Sequence, residues 1–393
     1  MGKSKLTIID YFLLLTLGLF PFGVLPGIFF KNIFNLPFRL HLIDLVVSAT
    51  VIFMILNTDS LKRIMQNGYI FVVILFSTLF SLFGSRFDFY GLIYLGRLIV
   101  YLMFFMSLTL KTNKTSKTQT LKLLILVGLV IGVFGWIQYF LFADLTNLKY
   151  FGWDDHYFRL VSTFLDPAFT GVLLVLSILS AIVFYLLTKN KLILPTILFL
   201  LVSLGFTYSR ASFLALVIGL SVLLYKSHKR SLLLFVLLLL FIIFSLPQSP
   251  GGEGVKLTRV SSIEQKVENY ATGFRLISTS PLLGIGYNNI CSAKKALNID
   301  ISQQINSCYG LDNSFLLVWA SMGILGLLSV SWYFVGIYKD TVDDIYGMLF
   351  KASTGAVLFH ALFTNTLFYP WVIVWIAFLM SASRSLGVVK RKF

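Results

Sequence analysis

The chain has 393 residues, of which 58% are hydrophobic, 16% aromatic and only 12% charged, and its mean hydropathy is +0.88. The apolar residues come in runs, not in the 3.6-residue stripe of a soluble helix, so composition excludes a soluble domain. The net charge of +16 does not point to nucleic acid, because no stretch interleaves basic and aromatic residues on a polar face; membrane topology accounts for it better.

A run of ~20 apolar residues crosses ~30 Å of hydrocarbon as an α-helix. In chain order the sequence predicts an all-α polytopic membrane protein of about twelve transmembrane helices. They fall near 10–30, 40–57, 68–84, 90–110, 121–143, 165–187, 192–207, 210–225, 231–247, 313–338, 346–363 and 366–383. The first run is too long for a cleaved signal peptide and is followed by no small-residue cleavage site, so it is expected to remain as a span.

With the N-terminus inside, eighteen Lys and Arg fall on the inner side. They are Lys3, Lys5, Lys62, Arg63, Lys111, Lys114, Lys117, Lys122, Lys189, Lys191, Lys226, Lys229, Arg230, Lys339, Arg384, Lys390, Arg391 and Lys392. Six fall in the short outer loops: Lys31, Arg39, Arg86, Lys149, Arg159 and Arg210. By the positive-inside rule both termini are cytoplasmic. The chain reads as a single integral membrane domain over 1–393.

One segment breaks the pattern. From Pro247 to Leu311 no run is long enough to span, which makes 248–312 a large loop on the extracytoplasmic side. It opens with the Pro/Gly cluster "PQSPGGEG", a loop signal. In "SSIEQKVENYATGFRLIST" the residues Ile263, Val267, Tyr270, Phe274 and Ile277 recur at spacings of 4, 3, 4 and 3, which predicts an amphipathic helix across the mouth of the bundle. The chain's two cysteines, Cys291 and Cys308, both lie in this loop. Confinement to the oxidising side favours a disulfide, with two free thiols as the alternative. A zinc site is disfavoured, since no further ligand has the right spacing.

The sequence has no GxxxxGK[ST], no GxGxxG after a strand and no HExxH, which takes weight from ATP-driven transport and metalloprotease chemistry. What remains is a set of polar residues at the predicted outer face. Arg210 stands at the turn between spans seven and eight, and Arg275 on the loop helix before "PLLGIG". Arg159 begins "RLVSTFLDPAFTG", which contains Asp166. Asp312 opens "DNSFLLVWASMGILGLL", and His360 begins "HALFTN". Each has a bland reading: a helix-end arginine can snorkel, the aspartates stand where N-caps stand, and the histidine can be a buried hydrogen-bonding residue. Arg97 lies about two turns inside span four, so it needs a polar cavity or a partner. Several arginines, two aspartates and a histidine around one mouth suit an anionic head group, most naturally phosphate or diphosphate, which guanidinium forks bind bidentately.

These residues resemble a family. "FTYSRASFLALVIG", then a long outer loop with "GFRLISTSPLLGIGYNN", then "DNSFLLVWASMGILGLL", is similar to the O-antigen ligase / O-antigen polymerase superfamily of bacterial envelope enzymes. The likeness covers 200–330 as a ligase/polymerase-like core region, with weaker extensions to "RLVSTFLDPAFTG" and "HALFTNTLFYP". It implies a metal-independent, cofactor-free glycosyltransferase in the bacterial cytoplasmic (inner) membrane, with its active face outside. The implied donor is a glycan on undecaprenyl diphosphate and the acceptor a glycan or lipid. Membrane lipids and other polysaccharide-assembly proteins are the remaining partners.

The family's diphosphate-holding arginines match Arg210 and Arg275, and Arg159 and Arg97 are further candidates to bind the diphosphate. Where ligases have a histidine opening span ten, as candidate base, this chain has Asp312. That departure favours a polysaccharide polymerase over a lipid A-core ligase and leaves Asp166, His156 and His360 as other candidate bases. A lipid-linked sugar transporter or flippase is the alternative of another class. Against it, the two halves show no internal repeat and the large loop occurs once. A scaffold without chemistry does not explain the arginines.

Overall fold

The computed structural model describes residues 8–33, 39–56, 78–79, 89–110, 117–151, 153–225, 228–248, 252–299, 308, 310–339 and 341–383. The predicted span at 68–84 lies outside the described residues apart from 78–79. So do the basic residues Lys3, Lys5, Lys62, Arg63, Arg86, Lys111, Lys114, Lys226, Arg384, Lys390, Arg391 and Lys392.

The described residues are all-helical, with one isolated bridge between Asp144 and Tyr157. Fourteen α-helices follow in chain order: α1 (Ile8–Leu19), α2 (Leu25–Ile33), α3 (Leu42–Ile55), α4 (Phe89–Leu110), α5 (Lys117–Leu141), α6 (Pro167–Thr188), α7 (Leu194–Gly205), α8 (Arg210–Leu224), α9 (Lys229–Phe244), α10 (Ser261–Thr279), α11 (Ile290–Ala296), α12 (Ser314–Lys339), α13 (Ile345–His360) and α14 (Pro370–Ser383). Of these α5, α6 and α12 are long and apolar enough to cross a membrane alone, while α3, α7, α8 and α14 fall among the shorter apolar helices.

The first predicted span is not one straight helix. The chain bends by 85° between α1 and α2. Gly23 there adopts φ +58°, and a Cβ on it would meet the Thr163 carbonyl. Thr163 fixes the bend through its hydroxyl on the Pro21 carbonyl (2.6 Å) and its own carbonyl on the Val24 N–H (3.0 Å).

The centre of the bundle is α6, buried from Thr170 to Phe184 and packed against α5, α7, α8 and α13. Hydrophobic burial does not drive helices together within lipid, so association depends on close packing. Gly219 of α8 leaves room for Leu179 of α6 and Ala356 of α13, and Gly171 of α6 leaves room for Ser212 of α8. The periphery is the reverse. Along α9 only Leu239 and Ile242 are buried, and Phe244 is 83% exposed. So much exposed apolar surface belongs against lipid.

A helix forms where the loop's apolar spacing predicts one, and only part of its apolar set packs on protein. Ile263, Val267 and Phe274 stay exposed, Val267 by 64%, while Gly273, Leu276 and Ile277 are buried. The reason is that α10 roofs a polar space. Its Ser262, Lys266, Asn269, Thr272 and Arg275, at spacings of 3 and 4, line that space.

The "PLLGIG" stretch has a structural role. Within α12, Gly323 is non-helical at φ 68°, ψ −175°. The kink frees backbone groups, and the stretch takes them: Ile285 N–H donates to the Ala320 carbonyl (2.8 Å), Gly286 N–H to Ser321 (3.0 Å), and Ile324 N–H to Pro281 (3.0 Å). A Cβ on Gly323 would lie 2.0 Å from the Leu282 carbonyl oxygen, so only glycine fits. A disulfide between Cys291 and Cys308 ties α11 to the segment entering α12.

Candidate active site

At one end of the bundle a cleft of about 1960 Å³ is enclosed by the 144–168 segment, the start of α8, the loop before α10, α10 itself, and the α13–α14 connection. The sequence reading singled out Arg159, Arg210, Arg275, Asp166, His156 and Asp312, and the fold brings all six to this cleft. Residues more than 150 positions apart meet there because α6, α8 and α12 all begin, and α13 ends, at the same end.

The arginines are held by neutral oxygens. Ser209 caps α8 by accepting the Ser212 N–H. Arg210 at the first helical position then reaches across the mouth. Its Nη1 donates to the Leu257 (3.2 Å) and Arg259 (3.3 Å) carbonyls and its Nη2 to Ser262 Oγ (2.6 Å). Arg159 donates through Nε to the Thr207 carbonyl (3.1 Å) and through Nη2 to the Tyr208 carbonyl (3.4 Å), which also accepts from Arg259 (3.1 Å). Arg275 is exposed to the cleft. Among the described residues, none of Arg159, Arg210 and Arg275 has a carboxylate at salt-bridge distance. Burial, then repulsion from Arg259 and Arg210 against attraction by Asp166 and Asp154, lowers the Arg159 pKa to about 9. Crowded cations of this kind are relieved by an anion.

The carboxylates divide by role. Asp166 caps α6, accepting from Ala168 N–H (2.6 Å) and Phe169 N–H (2.9 Å), and burial raises its pKa despite those bonds. Asp312 does not cap α12; Asn313 does, accepting from Phe315 and Leu316 N–H. Asp312 instead accepts from Lys266 Nζ (3.3 Å) and is 44% exposed. Asp154 opens to the cleft while protein crowds it, and burial together with Asp166, Asp312 and Asp155 raises its pKa to about 6. His156 is buried, and burial and then Arg159 and Arg259 lower its pKa to about 3, so it is neutral, with no hydrogen-bond partner on Nε2 among the described residues.

Two predicted residues are not brought to the cleft. Arg97 Nε is ion-paired with Asp44 Oδ1 at 2.9 Å, Tyr101 donates to the same oxygen, and the group lines a separate cavity. The partner that its depth demands is therefore Asp44. His360 is fully buried between Ser212 Oγ (3.1 Å) and Thr366 Oγ1 (2.7 Å), where it joins α8 to the α13–α14 connection.

Sequence reasoning missed Asp154, Arg259, Lys266 and Lys294, all of which line the cleft. Lys266, nine residues before Arg275, falls on the opposite side of an ideal helix and next to the apolar set, so the pattern did not single it out. Asp154 in "WDDHYFRL" stands two residues before His156, but nothing local announces how it is crowded.

Residues 195–331 match the family model described as O-antigen ligase. This stretch is similar to the O-antigen ligase domain. It runs from α7 into α12 and includes Arg210, Arg259, Lys266, Arg275 and Asp312, whereas Asp154, His156, Arg159 and Asp166 reach the cleft from the region before it. The matched residues also contain the α12 kink at Gly323 and the "PLLGIG" stretch that fills it. No curated protein matches the chain.

Proposed function

We propose that this membrane protein is a glycosyltransferase at the outer face of the bacterial cytoplasmic membrane. It transfers or polymerises glycan from an undecaprenyl-diphosphate-linked donor, with polysaccharide polymerisation favoured over lipid A-core ligation. The observation that carries the reading is the convergence of Arg159, Arg210 and Arg275, with no carboxylate at salt-bridge distance among the described residues, around a cleft at one end of the bundle, within and beside the stretch similar to O-antigen ligase. In this reading the shorter apolar helices are spans too, both termini are cytoplasmic, and the loop at 248–312 is extracytoplasmic.

The chemistry follows from the charges. An acceptor hydroxyl attacks the anomeric carbon, the bond from that carbon to the diphosphate oxygen breaks, and undecaprenyl diphosphate leaves with the electron pair. Arg210 and Arg275 neutralise the charge that develops on the leaving group, and fixed cations in that role lower the barrier. The hydroxyl proton passes to a carboxylate. Asp154 suits this better than Asp312: a carboxyl with a pKa near 6 is ionised at pH 7 yet more basic than an ordinary aspartate, while Asp312 is tied to Lys266. Among the described residues no group of three or more His, Cys, Asp or Glu is arranged to hold a metal ion, and guanidinium groups can take the diphosphate charge in place of one.

The test is incubation of the purified protein with an oligosaccharide on undecaprenyl diphosphate, followed by separation of the products by length. Longer chains on the lipid support polymerisation. Transfer to an added lipid A-core acceptor without lengthening supports the ligase. Donor movement across a vesicle bilayer with no new glycosidic bond would overturn the enzyme reading in favour of a transporter.

A further inference from the structure

A second cavity of about 200 Å³ lies between α4, α12, the start of α14 and the turn that follows α10. Thr364 lines the large cleft and Asn365 the small one, so the α13–α14 connection is the partition between them. Arg97, Tyr287, Asn288, Ser321, Asn365 and Phe368 are on the walls. Four of their polar atoms are buried with no hydrogen-bond partner among the described residues: Arg97 Nη2, Asn288 Nδ2, Ser321 Oγ and Asn365 Oδ1. A buried polar group without a partner bears its desolvation cost uncompensated, and such groups are uncommon in folded proteins. Two donors, one acceptor and a hydroxyl able to do either thus belong to residues that line one small space.

Charge and shape narrow the ligand. Arg97 is the one charged residue among those lining the cavity, and its guanidinium is already balanced by Asp44 at 2.9 Å. A free anion therefore finds no net positive charge. The Tyr287 and Phe368 rings, 5.8 Å apart and inclined at 53°, add apolar faces beside the polar groups. A pyranose presents the matching surface, with axial C–H bonds on its faces and hydroxyls that both donate and accept around its edge. The volume is well below that of pockets for drug-sized ligands and is of the order of one ring.

We propose that this cavity binds a single uncharged sugar unit, an aldohexose or N-acetylhexosamine. The inference goes beyond transfer in the large cleft and is tested without any donor, so failure of one does not imply failure of the other.

The experiment is saturation-transfer NMR on the full chain in lipid nanodiscs free of glycolipid and maltoside. The probes are methyl α-glucopyranoside, methyl α-rhamnopyranoside and N-acetylglucosamine, with inorganic phosphate as competitor. At least one probe should receive saturation at its ring protons, bind in the millimolar range and be indifferent to phosphate. Asn365→Ala and Tyr287→Ala, with unfolding temperatures checked against wild type, should each weaken binding roughly tenfold or more. Should either variant unfold, the other is decisive. Absence of saturation transfer to all three sugars, unchanged affinity in the folded variants, or displacement by phosphate would overturn the proposal.

Discussion

Arg210 and Arg275 differ in what they touch, and that difference separates binding from folding. Arg210 fastens the loop before α10 through two carbonyls and a hydroxyl, so Arg210→Ala loses structure along with charge. Arg275 is exposed to the cleft, and its substitution leaves the fold's hydrogen bonds intact. Arg275→Ala should therefore cut glycan elongation by ~10²–10³ while stability changes by no more than about 0.5 kcal/mol. Arg210→Lys should rescue poorly, because an ammonium cannot reproduce the fork that reaches Leu257 and Ser262 together. Normal elongation in folded Arg275→Ala would remove the donor-binding role.

Asp154 supplies the pH dependence. If it accepts the acceptor's proton, the rate should rise with pH through about 6 and level off above, and Asp154→Asn should abolish that limb. A limb that persists in the variant assigns the base elsewhere. The stability sign is opposite. The folded-state pKa lies above the ordinary 3.8, so the stabilisation from this group is complete below pH 3.8 and is lost as the pH rises through about 6.

At the scale of elements, the kink of α12 is the joint that positions α10 and its arginine. The "PLLGIG" backbone docks on three groups that the kink exposes, and α10 packs on α12 directly. Gly323→Ala combines a left-handed backbone with a Cβ 2.0 Å from the Leu282 carbonyl oxygen. It should destabilise the protein by at least ~1–3 kcal/mol, read as a lower unfolding temperature in detergent, with a parallel loss of elongation. Gly336 lies later in the same helix, and a Cβ there meets nothing within 4 Å. Gly336→Ala should be neutral or mildly stabilising, so equal destabilisation by both variants would deny the kink its special role.

Considered whole, the molecule keeps apolar surface outward along its sides and places charge at both ends, with the cleft at one of them. Its cleft is lined by basic and acidic residues in nearly equal number, but the carboxylates of Asp166 and Asp312 are occupied by N–H groups and a lysine. The arginines can thus meet a diphosphate without a metal ion. Elongation should survive EDTA within about twofold, a change of less than ~0.5 kcal/mol in barrier. Loss of activity on chelation, restored by Mg²⁺ or Mn²⁺, would move Asp154, Asp166 and Asp312 into a metal site.

By itself the sequence determined the all-helical, apolar class and named six residues that converge at the cleft, because long apolar runs and helix-end charges are local signals. The helix over 261–279 was equally local, but not which of its faces meets protein. The spacing of Ile263, Val267 and Phe274 reports amphipathicity, and only the tertiary structure shows the polar face turned to the cleft. Tertiary structure also decided that Arg97 belongs to Asp44, fifty-three residues away, and that His360 joins helices behind the cleft wall. The same holds for Asp154, whose pKa is raised by burial first and then by Asp166 and Asp312 across the fold. Partnership, burial and electrostatic environment are properties of what surrounds a side chain, and a linear pattern names the side chain without its surroundings.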